Sequence, residues 1–442
     1  MSIVNTMISA ACYKYIYNSR QQEKFQDKEL HKLVKYVKNH SPYLQKLYGN
    51  VGDDFKITDL PITNKKMIME NYDVWATDPE IKLEDVKKFV KDTNNVGCRY
   101  LGKYLIGSTS GSTGYPLHTM INQKIINAST CTALLSKALS RKPVALVYPK
   151  DVFLIENGAI LYNMKRFPHI MKKSFPLVDA LQSPDRIAAE LNRIQPKTVY
   201  AYTSVIESIA EQAERGNLKA NIEEVVCCSE MLTDKARNYI SKQLNCVVRS
   251  IYGCTESGNI AIDGPCGHMH LINPYIIIEY MDENNNPVKP GEQSYKILVT
   301  NLSNDVLPII RYEVMDHLTL HPEPCGCGDR SQWIEMEGRS GLELLEFSNG
   351  IKVAPILVYC VVELMDTLRK FQIILHSNDV MEFRAVFMPD VDEAAVYEEA
   401  KERVMTYLKE CGIDSATMYL ADEKPAVDPV TQKFKSVYQV RD

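Results

Sequence analysis

The 442-residue chain carries 51 Lys and Arg against 56 Asp and Glu, a formal net charge of −5, which excludes a generally basic nucleic-acid binder. With 45% apolar and 24% charged residues, 20 Gly and 21 Pro, the composition is that of compact globular domains, far from disordered, collagenous or coiled-coil classes. A length of this order predicts a large lobe and a small one, at roughly 150 residues per folding unit.

The first twenty residues, MSIVNTMISAACYKYIYNSR, show no basic leader before an apolar core, so a secretory signal is not expected. Twelve cysteines at scattered spacings read as reduced thiols, which places the protein in the cytoplasm. No apolar run reaches the roughly 18 residues of a membrane span, and no membrane partner is expected. The longest candidate, VAPILVYCVV at 353–362, contains Pro355 and is followed by Glu363. Residues 20–95 are Lys-rich, with apolar side chains three and four apart in HKLVKYVKNHSPYLQKLY, the spacing of helices with a solvated basic face.

From about Tyr100 the pattern changes to short β-branched and aromatic runs, YLIG, VALVYP, TVYAYTS, VVCC and CVVRSIYG. Helical stretches such as SVIESIAEQAER and DKARNYISKQL fall between them, the alternation of parallel βαβ units. After Gly258 the text is strand-rich, with YIIIEYMD, an NNNP turn, SYKILVTNL and HLTLH, which predicts an antiparallel subdomain. A boundary is expected near Arg339, in EGRSG. The predicted fold is therefore α/β, a large multi-subdomain lobe over 1–338 with a strand-rich subdomain, and a small α+β domain over 339–442.

Four further segments carry chemistry. GSTSGSTGYP (107–116) follows an apolar strand; its small residues admit backbone N–H groups to phosphate oxygens and its hydroxyls add donors. Read alone, it is equally a surface linker, and the spacing is not that of a Walker A loop. YGCTESG (252–258) follows another strand, LPIIRYEVMD (307–316) comes some fifty residues later, and PVTQKFKSV lies near the end. In isolation, Glu256 is a helix N-terminal charge, Asp316 a turn residue and Lys433 an exposed tail lysine.

Together with EGRSG this ordered set resembles the adenylate-forming (ANL) superfamily, most closely its phenylacetate–CoA ligase-like branch. The family's SSGTTGKP stands here as STSGSTGYP, its YGxTE as YGCTE and its PLIRYRTGD as PIIRYEVMD; SPYLQKLYGN and ITDLPITNKKMIMENY are similar to the branch's opening. The resemblance implies that Ser108, Thr109, Ser110, Gly111, Ser112, Thr113 and Gly114 enclose the ATP phosphates. It implies that Tyr252 packs beside the adenine, that Gly253 belongs to the ATP-binding set, that Thr255 contacts the α-phosphate, that Glu256 holds Mg²⁺ and that Asp316 binds the ribose. Ser229 and Glu230 of CCSEML would line the nucleotide pocket, Arg339 would bind the nucleotide, and the EGRSG segment that holds it would be the hinge about which the small domain moves. Lys433 would bridge the substrate carboxylate and the α-phosphate, with Lys435 as a competing candidate. Three departures stand out: Tyr115 replaces the loop's usual Lys, Met315 replaces Gly before Asp316, and Gln432 replaces Gly before Lys433.

CGHMH (266–270) and PCGCG (324–328) place soft donors on either side of the strand-rich segment. Four such donors in tetrahedral array make a structural zinc site, although the spacing alone leaves ordinary buried thiols open. The branch carries a similar Cys/His and Cys-x-Cys set, which implies zinc on Cys266, His270, Cys325 and Cys327, with His268 in reserve.

The expected activity is that of an acid–thiol ligase, taking ATP, Mg²⁺, coenzyme A and a small carboxylic acid, aryl-acetic or otherwise hydrophobic. Tyr148, Phe153, Tyr162 and Tyr202 are candidates for its pocket, and equally for plain core. The alternatives are transfer of the acyl group to a carrier protein or amine, transfer of AMP to a hydroxyl, and a non-catalytic nucleotide-sensing scaffold. A homodimer is compatible with all of them.

Overall fold

The computed structural model describes residues 3–109, 116–135, 143–149, 175–230, 232, 234–264, 266–321, 323, 325–327, 329, 331–336, 344–353, 355–363, 365–426 and 435–440. In chain order the strands are β1 (Leu105–Ser108), β2 (His118–Ile121), β3 (Val144–Tyr148), β4 (Leu177–Asp179), β5 (Thr198–Tyr202), β6 (Glu224–Cys228), β7 (Val247–Cys254), β8 (Gly258–Asp263), β9 (Met269–Leu271) and β10 (Ile276–Met281). They continue as β11 (Lys296–Asn301), β12 (Tyr312–Val314), β13 (Leu318–His321), β14 (Trp333–Met336), β15 (Leu345–Glu346), β16 (Lys352–Val353), β17 (Leu368–Leu375), β18 (Val380–Phe387), β19 (Thr417–Leu420) and β20 (Val437–Gln439).

A nine-stranded sheet, ordered β13-β14-β9-β8-β7-β6-β5-β3-β4, forms the body. Its members β4, β3, β5, β6 and β7 pair in parallel, and helices Pro184–Ile194, Thr203–Glu214 and Asp234–Leu244 are the crossovers that parallel pairing requires. Every residue of β3, β5 and β6 is buried, which is why these strands read as unbroken apolar runs and not as alternations. From β7 to the β13 edge of this sheet the pairing is antiparallel, as the strand-rich text after Gly258 predicts.

The N-terminal helices rest on a separate three-stranded sheet, β10-β11-β12. Three buried polar ties hold them there. The Trp75 indole donates to the Pro308 carbonyl at 2.9 Å, and Thr63 Oγ1 donates to the Ile310 carbonyl at 2.7 Å. The Arg311 guanidinium grips both oxygens of Glu279 at 2.9 and 3.0 Å while also donating to the carbonyls of Leu60 and Thr58. Burial raises the Glu279 carboxyl and the Arg311 charge pulls it back, so removing either partner leaves an uncompensated buried charge.

At the C-terminal end, β19-β18-β17-β20 form a four-stranded sheet with helices Pro355–Glu363 and Glu393–Glu410. The apolar run at 353–362 is thus mostly a short buried helix, with Val358 and Val362 fully covered. No helix among the described residues is long and apolar enough to cross a membrane. The apolar cluster around β3, β5 and β6 continues without a break into helix Pro355–Glu363 and β17–β18.

Candidate active site

The YGCTESG segment straddles a tight antiparallel hairpin. Tyr252, Gly253 and Cys254 end β7, Thr255, Glu256 and Ser257 turn, and Gly258 opens β8. The register shifts between Tyr252 and Gly253, and a Cβ on Gly253 would lie 2.4 Å from the Gly258 carbonyl oxygen. Only glycine permits this approach of the two backbones.

Two tyrosines join this hairpin to the LPIIRYEVMD segment. The buried Tyr252 hydroxyl donates to Asp316 Oδ2 at 2.7 Å, and the Tyr312 hydroxyl donates to Glu256 Oε1 at 3.0 Å. Burial, reinforced by the Glu256 charge, pushes the Tyr312 phenol far above its usual range, so it remains a donor at every working pH. Asn301 Nδ2 donates to the Glu256 carbonyl at 3.2 Å and fixes the turn's backbone. The turn before Asp316 does not need the freedom of the family's glycine. Left-handed backbone falls at Arg311, φ 48°, and not at Met315, so Met315 sits there without strain.

The Ser/Thr/Gly loop springs from the β1–β2 hairpin, whose base is pinned on both sides. Thr109 N–H donates to the Leu117 carbonyl at 3.0 Å and Leu117 N–H donates to Thr109 Oγ1 at 2.8 Å. Ser108 Oγ lies 2.8 Å from His118 Nδ1, while the Tyr72 hydroxyl donates to the His118 carbonyl at 2.6 Å. Burial lowers the His118 imidazole to about 4, helped by the charges of Lys87 and Lys65; it is neutral at pH 7.

Lys65 is a group that the sequence did not single out. Burial lowers its ammonium to about 8, against the opposing pull of Glu256. Its one signal was position, inside ITDLPITNKKMIMENY, but in a Lys-rich stretch nothing distinguished it from its neighbours.

Ser229 adopts left-handed backbone, φ 61°, turning Glu230 back under the start of helix Thr203–Glu214. There the Glu230 carboxylate accepts from Ser204 N–H at 2.8 Å and Ser204 Oγ at 3.1 Å. Burial nevertheless raises it to about 7. Tyr148 and Tyr202 are buried and pack edge to face at 5.1 Å; the Tyr148 hydroxyl lies 2.6 Å from Cys228 Sγ, which makes both part of the sheet's core.

The second constellation assembles where β9 meets β14. Cys266, His270, Cys325 and Cys327 bring their donor atoms within 4.8 Å of one another. Cys266 Sγ and Cys327 Sγ lie 3.4 and 3.6 Å from His270 Nε2, and Cys325 Sγ lies 3.4 Å from Cys266 Sγ. With Zn–S near 2.3 Å and Zn–N near 2.0–2.1 Å, tetrahedral ligands stand roughly 3.5–3.8 Å apart, so this donor set fits a zinc ion. His270 Nδ1 lies 3.2 Å from the Ser331 carbonyl, the contact that leaves Nε2 for a metal. A Cβ on Gly264 would stand 3.0 Å from Cys266 Sγ and 3.1 Å from His270 Cδ2. His268 stacks on Trp333 at 4.2 Å with its Nδ1 3.1 Å from Cys325 Sγ, beside the four and outside their group.

Ser110 to Gly114, Tyr115, Phe153, Tyr162, Arg339, Gln432 and Lys433 lie outside the described residues. Of the remainder, the structure joins Tyr252 with Asp316, Glu256 with the IIRY segment, and the four zinc candidates with each other.

No model of a known protein family matches the chain. Over 317 residues it is 23% identical to Protein CapK of Staphylococcus aureus, an alignment spanning 67% of this chain and 63% of CapK. Over 320 residues it is 20% identical to the phenylacetate-coenzyme A ligase of Thermus thermophilus, spanning 69% of this chain and 66% of that enzyme. The chain thus spans slightly less than two thirds of the curated relatives it matches. A solved structure of 2-hydroxyisobutyryl-CoA ligase with 2-HIB-AMP and CoA, in the thioesterification state, covers 98% of this chain and 92% of its own with a TM-score of 0.63 at 16% identity. The chain has the fold of the adenylate-forming enzymes.

Proposed function

We propose that the protein is an ATP-dependent carboxylate–CoA ligase that forms an acyl-adenylate and then a thioester. The observation that carries this reading is the pair of tyrosine contacts, Tyr252 to Asp316 and Tyr312 to Glu256. They hold two carboxylates at the junction of two segments some fifty residues apart, one suited to ribose hydroxyls and the other to a nucleotide-borne cation. Mg²⁺ entering with ATP would take most of its ligands from phosphate oxygens and needs only a carboxylate such as Glu256, where it would neutralise phosphate charge.

In the first half-reaction a carboxylate oxygen of the acid bonds to the α-phosphorus, the bond to the bridging oxygen breaks and pyrophosphate leaves. Here the chain's work is positioning and charge stabilisation. Asp316 orients the ribose, Thr255 meets the α-phosphate, the loop 108–114 encloses the phosphates and Lys433 bridges the acid and the α-phosphate. In the second, the sulfur of coenzyme A bonds to the acyl carbon, AMP leaves and the thiol proton passes to solvent. The small domain, 339–442, pivots near Arg339 between the two. Cys266, His270, Cys325 and Cys327 hold a structural zinc that clamps β9 to β14. The substrate class proposed is an aryl-acetic or related hydrophobic acid, in keeping with the phenylacetate named for the Thermus thermophilus relative.

The test is ATP–pyrophosphate exchange over a panel of aryl, fatty and amino acids, followed by product analysis with and without coenzyme A. At least one acid should support exchange, and its thioester should form only with coenzyme A. Exchange with none of them refutes the ligase reading; an acyl-adenylate indifferent to coenzyme A moves the acceptor elsewhere. Asp316→Ala should weaken ATP binding at least tenfold, since a hydrogen bond to a charged group is worth roughly 1.5–3 kcal/mol.

A further inference from the structure

The first helix, Ile3–Tyr15, carries a single charged side chain, Lys14. Its Nζ lies 3.2 Å from Asp329 Oδ2, and the pair is largely shielded, with 14% of the lysine side chain and 20% of the aspartate exposed. Asp329 follows the zinc candidate Cys327 by two residues. Its other oxygen, Oδ1, accepts from Ser331 N–H at 2.9 Å, and the Ser331 carbonyl lies 3.2 Å from His270 Nδ1. One carboxylate therefore leads to two metal ligands, along the backbone to Cys327 and through Ser331 to His270, while Lys14 holds it from a distant segment. Acceptors on the second ring nitrogen orient a metal-bound histidine, and disturbing them weakens metal binding by about 10- to 100-fold.

The helix has little else to seat it. Of its thirteen residues only Thr6, Ala10 and Tyr13 are buried, while Ile3, Val4 and Ile8 are exposed. A helix of this length is marginal without packing. Its other ties are neutral contacts: Cys131 Sγ lies 3.8 Å from the Ile3 carbonyl, Gln22 Nε2 donates to the Tyr13 carbonyl at 2.8 Å, and the Tyr15 hydroxyl donates to the Leu135 carbonyl at 3.3 Å.

We propose that Asp329 is the outer positioning residue of the zinc site and that its pair with Lys14 couples metal binding to the seating of the first helix. The proposal rests on the zinc assignment above. Ordering residues 325–329 around a metal presents the carboxylate to Lys14, and by linkage a seated helix favours the metal by the same factor.

The experiment measures zinc affinity against a chromogenic chelator, and hydrogen exchange by mass spectrometry, on the full chain with zinc and after its removal. In the wild type, removing zinc should speed exchange in residues 3–15 about 3- to 10-fold and leave β5 in the sheet's core unchanged. Lys14→Met keeps the aliphatic stem, and Asp329→Asn keeps the acceptor for Ser331. Each should weaken zinc about 3- to 10-fold, bring helix exchange to the rate of the zinc-free wild type and abolish its response to the metal. Asp329→Ala, which also releases Ser331, should weaken zinc about 10- to 100-fold, and Lys14→Arg should keep both the affinity and the coupling. Helix exchange indifferent to zinc in the wild type, a zinc response that persists in Lys14→Met and Asp329→Asn, or acceleration of β5 equal to that of the helix overturns the coupling and leaves the zinc assignment standing. A wild-type protein that binds no zinc overturns both.

Discussion

The Cys/His cluster at β9–β14 and the residues proposed to hold a nucleotide at the β7–β8 hairpin share one sheet and are built on opposite principles. In the cluster the donors touch one another, with sulfur and nitrogen atoms 3.4–3.6 Å apart. Around the hairpin the charged groups are kept apart, each on a separate tyrosine. A small ion needs its ligands converging on one point, whereas a long polyanion needs partners spaced along its length. A search for convergent side chains therefore finds the first site and overlooks the second, whose coherence lies in which segments are hydrogen-bonded.

The comparison can be broken at the metal end first. Wild-type protein should contain about one zinc per chain, and a Cys325→Ser, Cys327→Ser double variant should contain none. Because metal binding is linked to folding, the variant's melting temperature should drop below that of the wild type. Its ATP affinity should hold if the sites are energetically separate. Full metal content and unchanged melting in the variant would remove the cluster from consideration.

Two glycines sharpen the contrast. Gly253→Ala forces a Cβ to 2.4 Å from the Gly258 carbonyl, so it should splay the hairpin, cost about 1–3 kcal/mol as overpacking does, and lower ATP affinity while leaving zinc bound. Gly264→Ala crowds Cys266 and His270 at 3.0 and 3.1 Å, and should weaken zinc retention against a chelator with ATP binding intact. Titrations of each ligand on both variants check this; a variant that loses both ligands together would show the two sites to be one unit.

An effect confined to a pH window is expected at Glu230. Its folded value, about 7, exceeds its ordinary 4.5 because of burial, so the folded state holds its proton more tightly than the unfolded one. That stabilisation is fully present below about 4.5 and is lost as the pH rises through 7. Glu230→Gln, which keeps an acceptor for Ser204, should gain on the wild type by on the order of 1–3 kcal/mol between pH 5 and 8. Parallel melting curves over that range would mean that the carboxylate is ionised at no cost.

The sequence alone determined the alternation of elements, since strands buried on both faces must read as apolar runs and the crossovers between them as amphipathic helices. It also determined the chemistry on offer: a hydroxyl-rich loop, the Glu256 and Asp316 carboxylates, and the soft donors of CGHMH and PCGCG. It did not decide between His268 and His270, because that choice depends on neighbours distant in the chain. Stacking on Trp333 sets His268 beside the cluster and not within it. The same holds for Met315, where the sequence pattern suggests a strained turn and the backbone places its left-handed residue at Arg311 instead. Local pattern reports what a residue prefers. Which preference is satisfied is settled by hydrogen bonds closed across 64 residues, as between Tyr252 and Asp316, or across the 247 between Thr63 and Ile310, and these exist only once the tertiary structure has formed.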